Sequence, residues 1–285
     1  MCEFTEFDST RLNQYEHGKK EVGIFELAEL LGVTAEALRK YEAREIIQPF
    51  RDERGYRKFH SWDLTKIICA RQMRQEGFSL NDVADSLKND DPQGQIVMIE
   101  EMQKTLMQEI QYRRDLIHWL SLKRDELMRA EQIGERCVIE RQPALHCCVY
   151  MSDDTLVNKT GEAREALKQW LRSLPFSNVC YIGAPGSRAL SCLALNEDEI
   201  RAYRLEHLKP DFVIPEQHYA VCYSTAEHDS QRDTSEECFL QAHKRIQALK
   251  VKLEDYMVAR MVRYVQRGDW YRSVNKMCVP IADEP

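Results

Sequence analysis

Two stretches decide the fold of the N-terminal part: IFELAELLGVTAEALRKYE at residues 24–42 and IIQPFRDERGYRKF at residues 46–59. In the first, apolar residues recur at helical spacing, Gly32 is suited to a helix end, and Thr34 is a good N-cap for a second helix. Two short helices joined by such a tight turn predict a helix-turn-helix. In the second stretch, Gly55 lies near the turn of a short hairpin, which predicts a wing.

Further helix signals complete this head. Ser61 is expected to cap a third helix, and residues 79–82, Ser-Leu-Asn-Asp, form a capping box for a fourth. The head is therefore predicted to span residues 21–92, preceded by a flexible polar tail at residues 1–20.

Charge placement in the head favours DNA binding. Residues 39–74 carry a local charge of +5 inside a chain whose formal net charge is −7. Cations on the second helix and the wing are placed to neutralise phosphates, and the start of the second helix is placed to reach base edges. We expect base contacts from Thr34, Glu36 and Arg39. The other predicted DNA contacts are Lys40, Tyr41, Arg54, Gly55, Tyr56 and Arg57, although the two tyrosines fit a core position about as well.

A strict heptad follows the head. Its ten positions are Ile96, Ile99, Gln103, Leu106, Ile110, Arg113, Ile117, Leu120, Arg124 and Leu127, and seven of them are Ile or Leu. This narrow apolar stripe predicts one long helix at residues 93–134 that pairs with a partner helix in a coiled coil; the alternative is a core helix of its own domain. The predicted dimer contacts are Ile99, Leu106, Ile110, Ile117, Leu120 and Leu127.

Beyond Gly134, short apolar runs alternate with turns in a weak internal repeat. Each copy is predicted to have the order β-α-β-β, with strands at 145–151, 179–182 and 189–195 in the first and 219–223, 257–265 and 274–281 in the second. The helices begin near Thr160 and at the Thr234 capping box. The predicted fold is thus an all-α winged helix-turn-helix head, a coiled-coil helix, and an α+β domain at 137–282 with one antiparallel sheet, helices on one face, and water or a ligand on the other.

Composition bounds the remaining possibilities. No apolar run approaches the ~20 residues of a transmembrane helix, so a cytoplasmic protein without membrane partners is expected. The ten cysteines form no Cys-x-x-Cys pair, and the adjacent Cys147 and Cys148 should point to opposite faces of a strand. We predict no metal site, no cofactor and no catalytic residues.

The head resembles the MerR-type transcription regulators. The residues that carry this resemblance are 24–34, 38–42, 47–49, Arg51, 54–57 and Phe59. The resemblance implies a homodimer, paired through antiparallel helices, on a palindromic operator in double-stranded promoter DNA. It also implies that ligand binding distorts an overlong promoter spacer so that RNA polymerase with its sigma factor engages both promoter elements.

The C-terminal part resembles the GyrI-like effector-binding domains of multidrug-sensing members of that family. The resemblance implies a small-molecule pocket, for which the expected residues are Tyr150, Tyr181, Tyr223, Tyr256, Tyr264, Trp270 and Lys276. Relatives that sense cationic drugs have a Glu at the position of Lys276, so a neutral, aromatic or anionic ligand is expected here. Trp170, on the apolar stripe of its helix, is expected in the core.

The predicted function is a ligand-responsive transcription regulator, an activator that is not an enzyme. A near alternative is metal sensing, which the isolated Cys137 does not favour because a thiolate site needs two or three ligands. A second alternative is hydrolysis of the bound ligand, as in some stand-alone GyrI-like domains. That activity requires a buried Glu facing a Tyr, and the sequence places none of Glu236, Glu237 or Glu254 there.

Overall fold

The computed structural model describes residues 20–89, 91–153, 155–184, 189–228 and 235–282, with side chains from residue 237 onward in the last range. The chain divides into two compact units, Met1–Glu109 and Ile110–Pro285. The predicted tail lies outside the described residues except for Lys20, and so does Thr234 of the second predicted capping box.

The first unit contains the head. Its elements are β1 (Glu21–Gly23), α1 (Ile24–Leu31), α2 (Ala35–Ala43), β2 (Phe50–Arg51), β3 (Arg57–His60), α3 (Ser61–Gln75) and α4 (Leu80–Lys88).

Local signals place these helices where they were expected. Gly32 ends α1 in the left-handed conformation, with φ of 60°, and the hydroxyl of Thr34 accepts a hydrogen bond from the Ala37 amide at the start of α2. Ser79 and Asp82 form the predicted capping box of α4. The start of α3 differs by one residue, because His60 is the N-cap and Asp63 accepts a bond from its amide at 3.1 Å.

The head is not purely helical. Strand β1 pairs with β3 and β3 pairs with β2, which gives a three-stranded sheet in the order β1-β3-β2. The wing is therefore anchored on its inner edge by a strand that the sequence pattern did not predict. The largest fully buried side chains of the head core are Leu27, Leu38, Ile47, Phe59, Ile67 and Val83.

The heptad forms one helix, α5 (Pro92–Ile133). In the first unit, Met98 and Met102 of α5 pack against the head core. No residue of α5 is fully buried in the single chain. The predicted long helix is confirmed, and its pairing with a second chain stays a prediction.

The second unit contains the remainder of α5 and an α+β domain. The elements after α5 are β4 (Val138–Gln142), β5 (Leu145–Ser152), β6 (Thr155–Leu156), α6 (Gly161–Arg172), β7 (Asn178–Gly183), β8 (Leu190–Asn196), α7 (Glu197–Tyr203), β9 (Phe212–Ile214), β10 (Gln217–His228), α8 (Ser235–Gln247), β11 (Met257–Arg267) and β12 (Trp270–Pro280).

All strand pairs of this unit are antiparallel, in the order β4-β10-β12-β11-β7-β8-β5-β6, with β9 paired to β5. Helices α6 and α8 pack on one face, which we call the helix face: Trp170 of α6 lies against Leu195, and Ala242 of α8 lies in a cluster with Met277. The Trp170 indole is fully buried and donates to the Lys209 carbonyl, as a core position requires.

The opposite face of the sheet was expected to meet water or a ligand. In the structure, side chains from the second half of α5 contact its strands, and we call it the α5 face. Glu126 reaches β10 and β12, and Arg129 reaches β4. Cys147 belongs to the apolar cluster of this face and Cys148 to the cluster around Trp170, so the adjacent cysteines do point to opposite faces.

The second predicted helix of this domain is α8. It ends at Gln247, and Leu253, beyond this end, pairs with Ile281. Strands β4, β6 and β9 and helix α7 were not predicted. In the described parts of the chain, no helix is long and apolar enough to cross a bilayer.

Candidate nucleic-acid interface and effector residues

Helix α2 presents a polar face away from the head core. Leu38 is fully buried, whereas Glu36, Arg39 and Lys40 on the other side of the helix are exposed. Lys40 and Glu36 lie 3.4 Å apart, but both side chains are solvated, so this pair holds neither residue firmly. Arg39 has no hydrogen-bond or ion-pair partner among the described residues, which leaves its guanidinium available to a ligand.

The wing turn is built by Asp52. Its carboxylate accepts hydrogen bonds from the amides of Arg54 (3.0 Å) and Tyr56 (2.9 Å), and Gly55 adopts a φ of +79°. A left-handed residue is needed there to close the turn, which only glycine adopts without strain. Arg54 and Tyr56 are both exposed at this tip.

The wing and α2 meet through an ion pair. The Arg57 guanidinium lies 3.3 Å from the Glu42 carboxylate of α2, and both side chains are partly exposed. This contact brings the wing beside the polar face of α2, so the cations predicted from two separate stretches form one surface. It also gives Arg57 an internal partner, which must share the guanidinium with any phosphate.

Tyr41 lies in the core instead of on this surface. It is 9% exposed and packs with the buried residues of the head. Of the two positions considered for Tyr41, core and DNA contact, the structure shows the core position. The other tyrosine among the predicted contacts, Tyr56 of the wing, is 69% exposed, as a contact residue must be.

Arg51 of the wing donates to the Gly55 carbonyl at 2.8 Å, and three arginines of the basic stretch outside α2 and the wing also have structural partners. Arg44 donates to the Asn81 side chain at 3.1 Å, Arg71 donates to the Leu31 carbonyl, and Arg74 donates to the Phe78 carbonyl. Arginine with several donors can close helix ends and loops in this way. Sequence counting could not separate these structural cations from those on α2 and the wing.

Replacing Asp52 with alanine should destabilise the wing. The variant loses two hydrogen bonds to backbone amides, for which we expect a loss of about 1 kcal/mol in the free energy of unfolding. Urea unfolding measures the loss, and Glu53→Ala is the control because it removes the same charge from the neighbouring exposed position. Equal stability of the two variants would contradict the assigned turn.

The seven predicted effector residues do not line a single pocket. Tyr150, Tyr181 and Tyr264 lie on the helix face with Tyr271. Tyr150 packs against the cluster around Trp170, and Tyr181 packs against the cluster that contains Ala242 and Ala259. Tyr264 is directly opposite Ser273 on β12. The rings of Tyr264 and Tyr271 are 5.3 Å apart. Burial, followed by the neighbouring tyrosines, raises the pKa of Tyr181 to about 12. We call these four residues the tyrosine group.

Tyr223 and Lys276 lie on the α5 face instead. They are directly opposed on β10 and β12, and both contact Glu126 of α5. Glu126 was not predicted as a site residue, because it lies outside the heptad stripe and nothing in the sequence indicates that it contacts the sheet.

Trp270 and Tyr256 occupy separate places. Trp270 lines a cavity of about 370 Å³ at the end of the β11–β12 hairpin, together with Arg263, Arg267 and Arg272. Tyr256 accepts a hydrogen bond from Gln217 at 3.1 Å. In the described residues, no group of three or more His, Cys, Asp or Glu side chains is arranged to hold a metal ion.

The sequence of the head matches the model of a known family. Residues 23–90 match the family model described as "MerR HTH family regulatory protein". The head is a MerR-type helix-turn-helix domain. The match covers α1 through α4, so the MerR-type head includes both the α2 surface and the wing. It ends before the long helix α5.

Individual relatives match parts of the chain. The HTH-type transcriptional regulator CueR of Escherichia coli O6:H1 is 36% identical over 62 residues, which are 21% of this chain and 46% of that protein. The chain thus spans about half the length of this relative. CueR of Vibrio cholerae is 27% identical over 131 residues, or 45% of this chain and 94% of that protein. A MerR family transcriptional regulator from Bacillus cereus has a solved structure with 20% identity and a TM-score of 0.34, covering 39% of this chain and 85% of that one.

Proposed function

We propose that the chain is a DNA-binding transcription regulator whose MerR-type head binds double-stranded promoter DNA through α2 and the wing. The observation that carries the proposal is the contact between Arg57 and Glu42, which brings the cationic wing beside the exposed face of α2. Base contacts are assigned to Thr34, Glu36 and Arg39, and phosphate contacts to Lys40, Arg54, Tyr56 and Arg57. The Thr34 hydroxyl already caps α2, so only its remaining hydrogen-bonding capacity is available to DNA.

Duplex binding tests this function. A sequence selected by the protein from a random duplex pool should bind with an affinity that falls steeply as salt rises, because phosphate contacts release counterions. Fluorescence anisotropy at several salt concentrations gives the slope. Failure to enrich any sequence, or an affinity independent of salt, would refute the proposed interface.

The proposed regulator acts as a homodimer paired through α5. Support comes from the exposure of its heptad residues: Ile99, Leu106, Ile110, Ile117 and Leu120 are each 44–65% exposed. Apolar residues repeated at heptad spacing on a helix surface are typical of a helix that has a partner. A twofold dimer fits a palindromic operator. We further propose that it activates transcription by RNA polymerase with its sigma factor, as the family resemblance implies.

The C-terminal domain is proposed to be a GyrI-like sensor of a small molecule, with two β-α-β-β copies, β5-α6-β7-β8 and β10-α8-β11-β12. The tyrosine group between the two copies supports an aromatic ligand, because rings with hydroxyl edges combine apolar contact with hydrogen bonding. Nearby on the same face, Asn275 is buried, and its side-chain oxygen has no hydrogen-bond partner among the residues that the structure describes. A ligand donor at that oxygen would remove an energetic cost.

Hydrolysis of the ligand is the weaker alternative. Glu254 lines a cavity of about 330 Å³ with His243 and Gln247, and no tyrosine is among the described residues of its lining. Glu254 therefore lacks the tyrosine partner that hydrolysis requires. Glu126 does contact a tyrosine, Tyr223, but its side chain is 31% exposed and not buried. Incubation of the protein for hours with a ligand identified by fluorescence screening, followed by mass spectrometry, separates binding from turnover.

A further inference from the structure

Four charged side chains and one tyrosine meet where α5 crosses the sheet. The Tyr223 hydroxyl donates to Glu126 of α5, and the Lys276 ammonium lies 3.8 Å from the same carboxylate oxygen. The ammonium is also 3.0 Å from Glu140 of β4, and Arg129 of α5 pairs with Glu140. Two cations, two anions and one tyrosine, from three strands and one helix, are therefore connected in one cluster, which we call the α5 clasp.

Burial makes these contacts stronger than surface ion pairs. The side chain of Lys276 is 9% exposed and that of Glu140 is 16% exposed, whereas Glu126 is 31% exposed. An ammonium at that depth is costly unless anions surround it. Burial, together with Glu126, raises the pKa of Tyr223, so its hydroxyl stays protonated and can donate to an anion.

Glu140 alone does not satisfy Lys276. It also pairs with Arg129 and accepts a hydrogen bond from Gln142 at 2.6 Å. Lys276 and Tyr223, directly opposed on neighbouring strands, thus present a cation and a hydroxyl donor to one further carboxylate. In the structure this carboxylate is Glu126, the most exposed acid of the clasp.

The position of Glu126 on α5 gives its carboxylate a second role. Ile117 and Leu120, on the opposite side of the helix, are exposed, so Glu126 belongs to the side that holds α5 to the sheet. The clasp joins α5 to the sheet through two sets of contacts, and breaking the contacts of Glu126 with β10 and β12 removes one of them. The remaining link is Arg129 to Glu140.

We propose that Lys276 and Tyr223 form a carboxylate-binding site that Glu126 occupies internally, and that a small organic carboxylate displaces Glu126 and loosens the second half of α5 from the sheet. The class of ligand follows from the occupant, because an ammonium and a hydroxyl bind a carboxylate through charge-assisted hydrogen bonds. Val221, Val258 and Cys278 on the same face favour a ligand with an apolar body. Only the consequence for DNA binding rests on the proposed function.

Chemical rescue tests the site without a known ligand. In Glu126→Ala the site lacks its internal occupant, so sodium formate should raise the melting temperature saturably, by about 3 °C beyond sodium chloride at equal ionic strength. The wild type should show no such rise, because the tethered carboxylate outcompetes free formate. Glu126→Ala combined with Lys276→Met should lose the effect, and Glu131→Ala, at an exposed position of the same helix, should behave as the wild type.

Two results would overturn the site: no difference between formate and chloride in Glu126→Ala, or the same gain after Lys276→Met is added. If Glu126→Ala does not fold, Glu126→Gln keeps the shape of the side chain while removing its charge. Formate should then stabilise this variant more than chloride does, and equal effects of the two salts would also refute the site.

Hydrogen exchange separates site filling from the loosening of α5. In Glu126→Ala, amides of residues 115–133 should exchange faster than in the wild type, and formate should restore the melting temperature without restoring this protection. Unchanged exchange would refute the loosening step. Duplex affinity measured on the same samples tests the link to regulation: formate binding without any effect of Glu126→Ala on that affinity leaves the site intact and removes only its regulatory role.

Discussion

Leu120→Lys should convert the proposed dimer into monomers. Leu120 is a heptad residue of α5 and is 51% exposed in the single chain, so a partner helix is expected to cover it. A lysine there places an unpaired ammonium in an apolar seam of each subunit, for which we expect a loss of about 3 kcal/mol or more in association free energy. The dissociation constant should rise at least roughly 100-fold, as measured by sedimentation velocity over a range of concentrations.

The chain offers a close control for this variant. Leu122 lies two residues along the same helix and is 46% exposed, but it falls outside the heptad stripe. Leu122→Lys introduces the same charge at nearly the same exposure, so it should leave the dimer intact. Monomers from Leu122→Lys together with dimers from Leu120→Lys would show that α5 pairs through another face.

Arg39→Ala should weaken binding of the selected duplex about 10- to 100-fold, and more if both half-sites of a dimer are engaged. The guanidinium lies on the exposed side of α2 and has no partner among the described residues. An arginine that contacts a base edge contributes about 1–3 kcal/mol of discrimination. Anisotropy on the selected sequence and on single-base variants of it measures both the loss and any relaxed specificity.

Arg172→Ala is the matched control for charge. Arg172 is an exposed arginine of α6 in the second unit, so its removal changes the net charge equally without touching the head. Its duplex affinity should equal that of the wild type. If Arg39→Ala retained full affinity and full specificity, α2 would not be the reading helix and the proposed interface would have to be moved.

Local sequence signals predicted the head well because they report on neighbouring residues. The turn at Gly32, the cap at Thr34 and the wing turn at Gly55 each depend on the backbone preference of a few consecutive residues. The heptad likewise predicted α5 as one helix. Strand β1 was missed because its three residues are ordered by pairing with β3, a partner more than 30 residues away in the sequence.

The candidate effector residues show the limit of such reasoning. Tyrosines predicted in the C-terminal domain are distributed over both faces of the sheet, because strand register assigns each residue to a face and register depends on distant partners. Glu126 lies outside the apolar heptad stripe of α5, and no local pattern predicts its contact with Lys276. The ion pair between Arg57 and Glu42 likewise could not be predicted from the sequence.

The sequence by itself determined the MerR-type head, the long helix and the location of excess positive charge, since these depend on short-range backbone preferences and on composition. Only the tertiary structure decided which arginines serve the fold, that Tyr41 belongs to the core, and that α5 uses a carboxylate to hold one face of the sheet. The physical reason is that burial and ion pairing arise between residues far apart in the chain, where no local pattern records the contact.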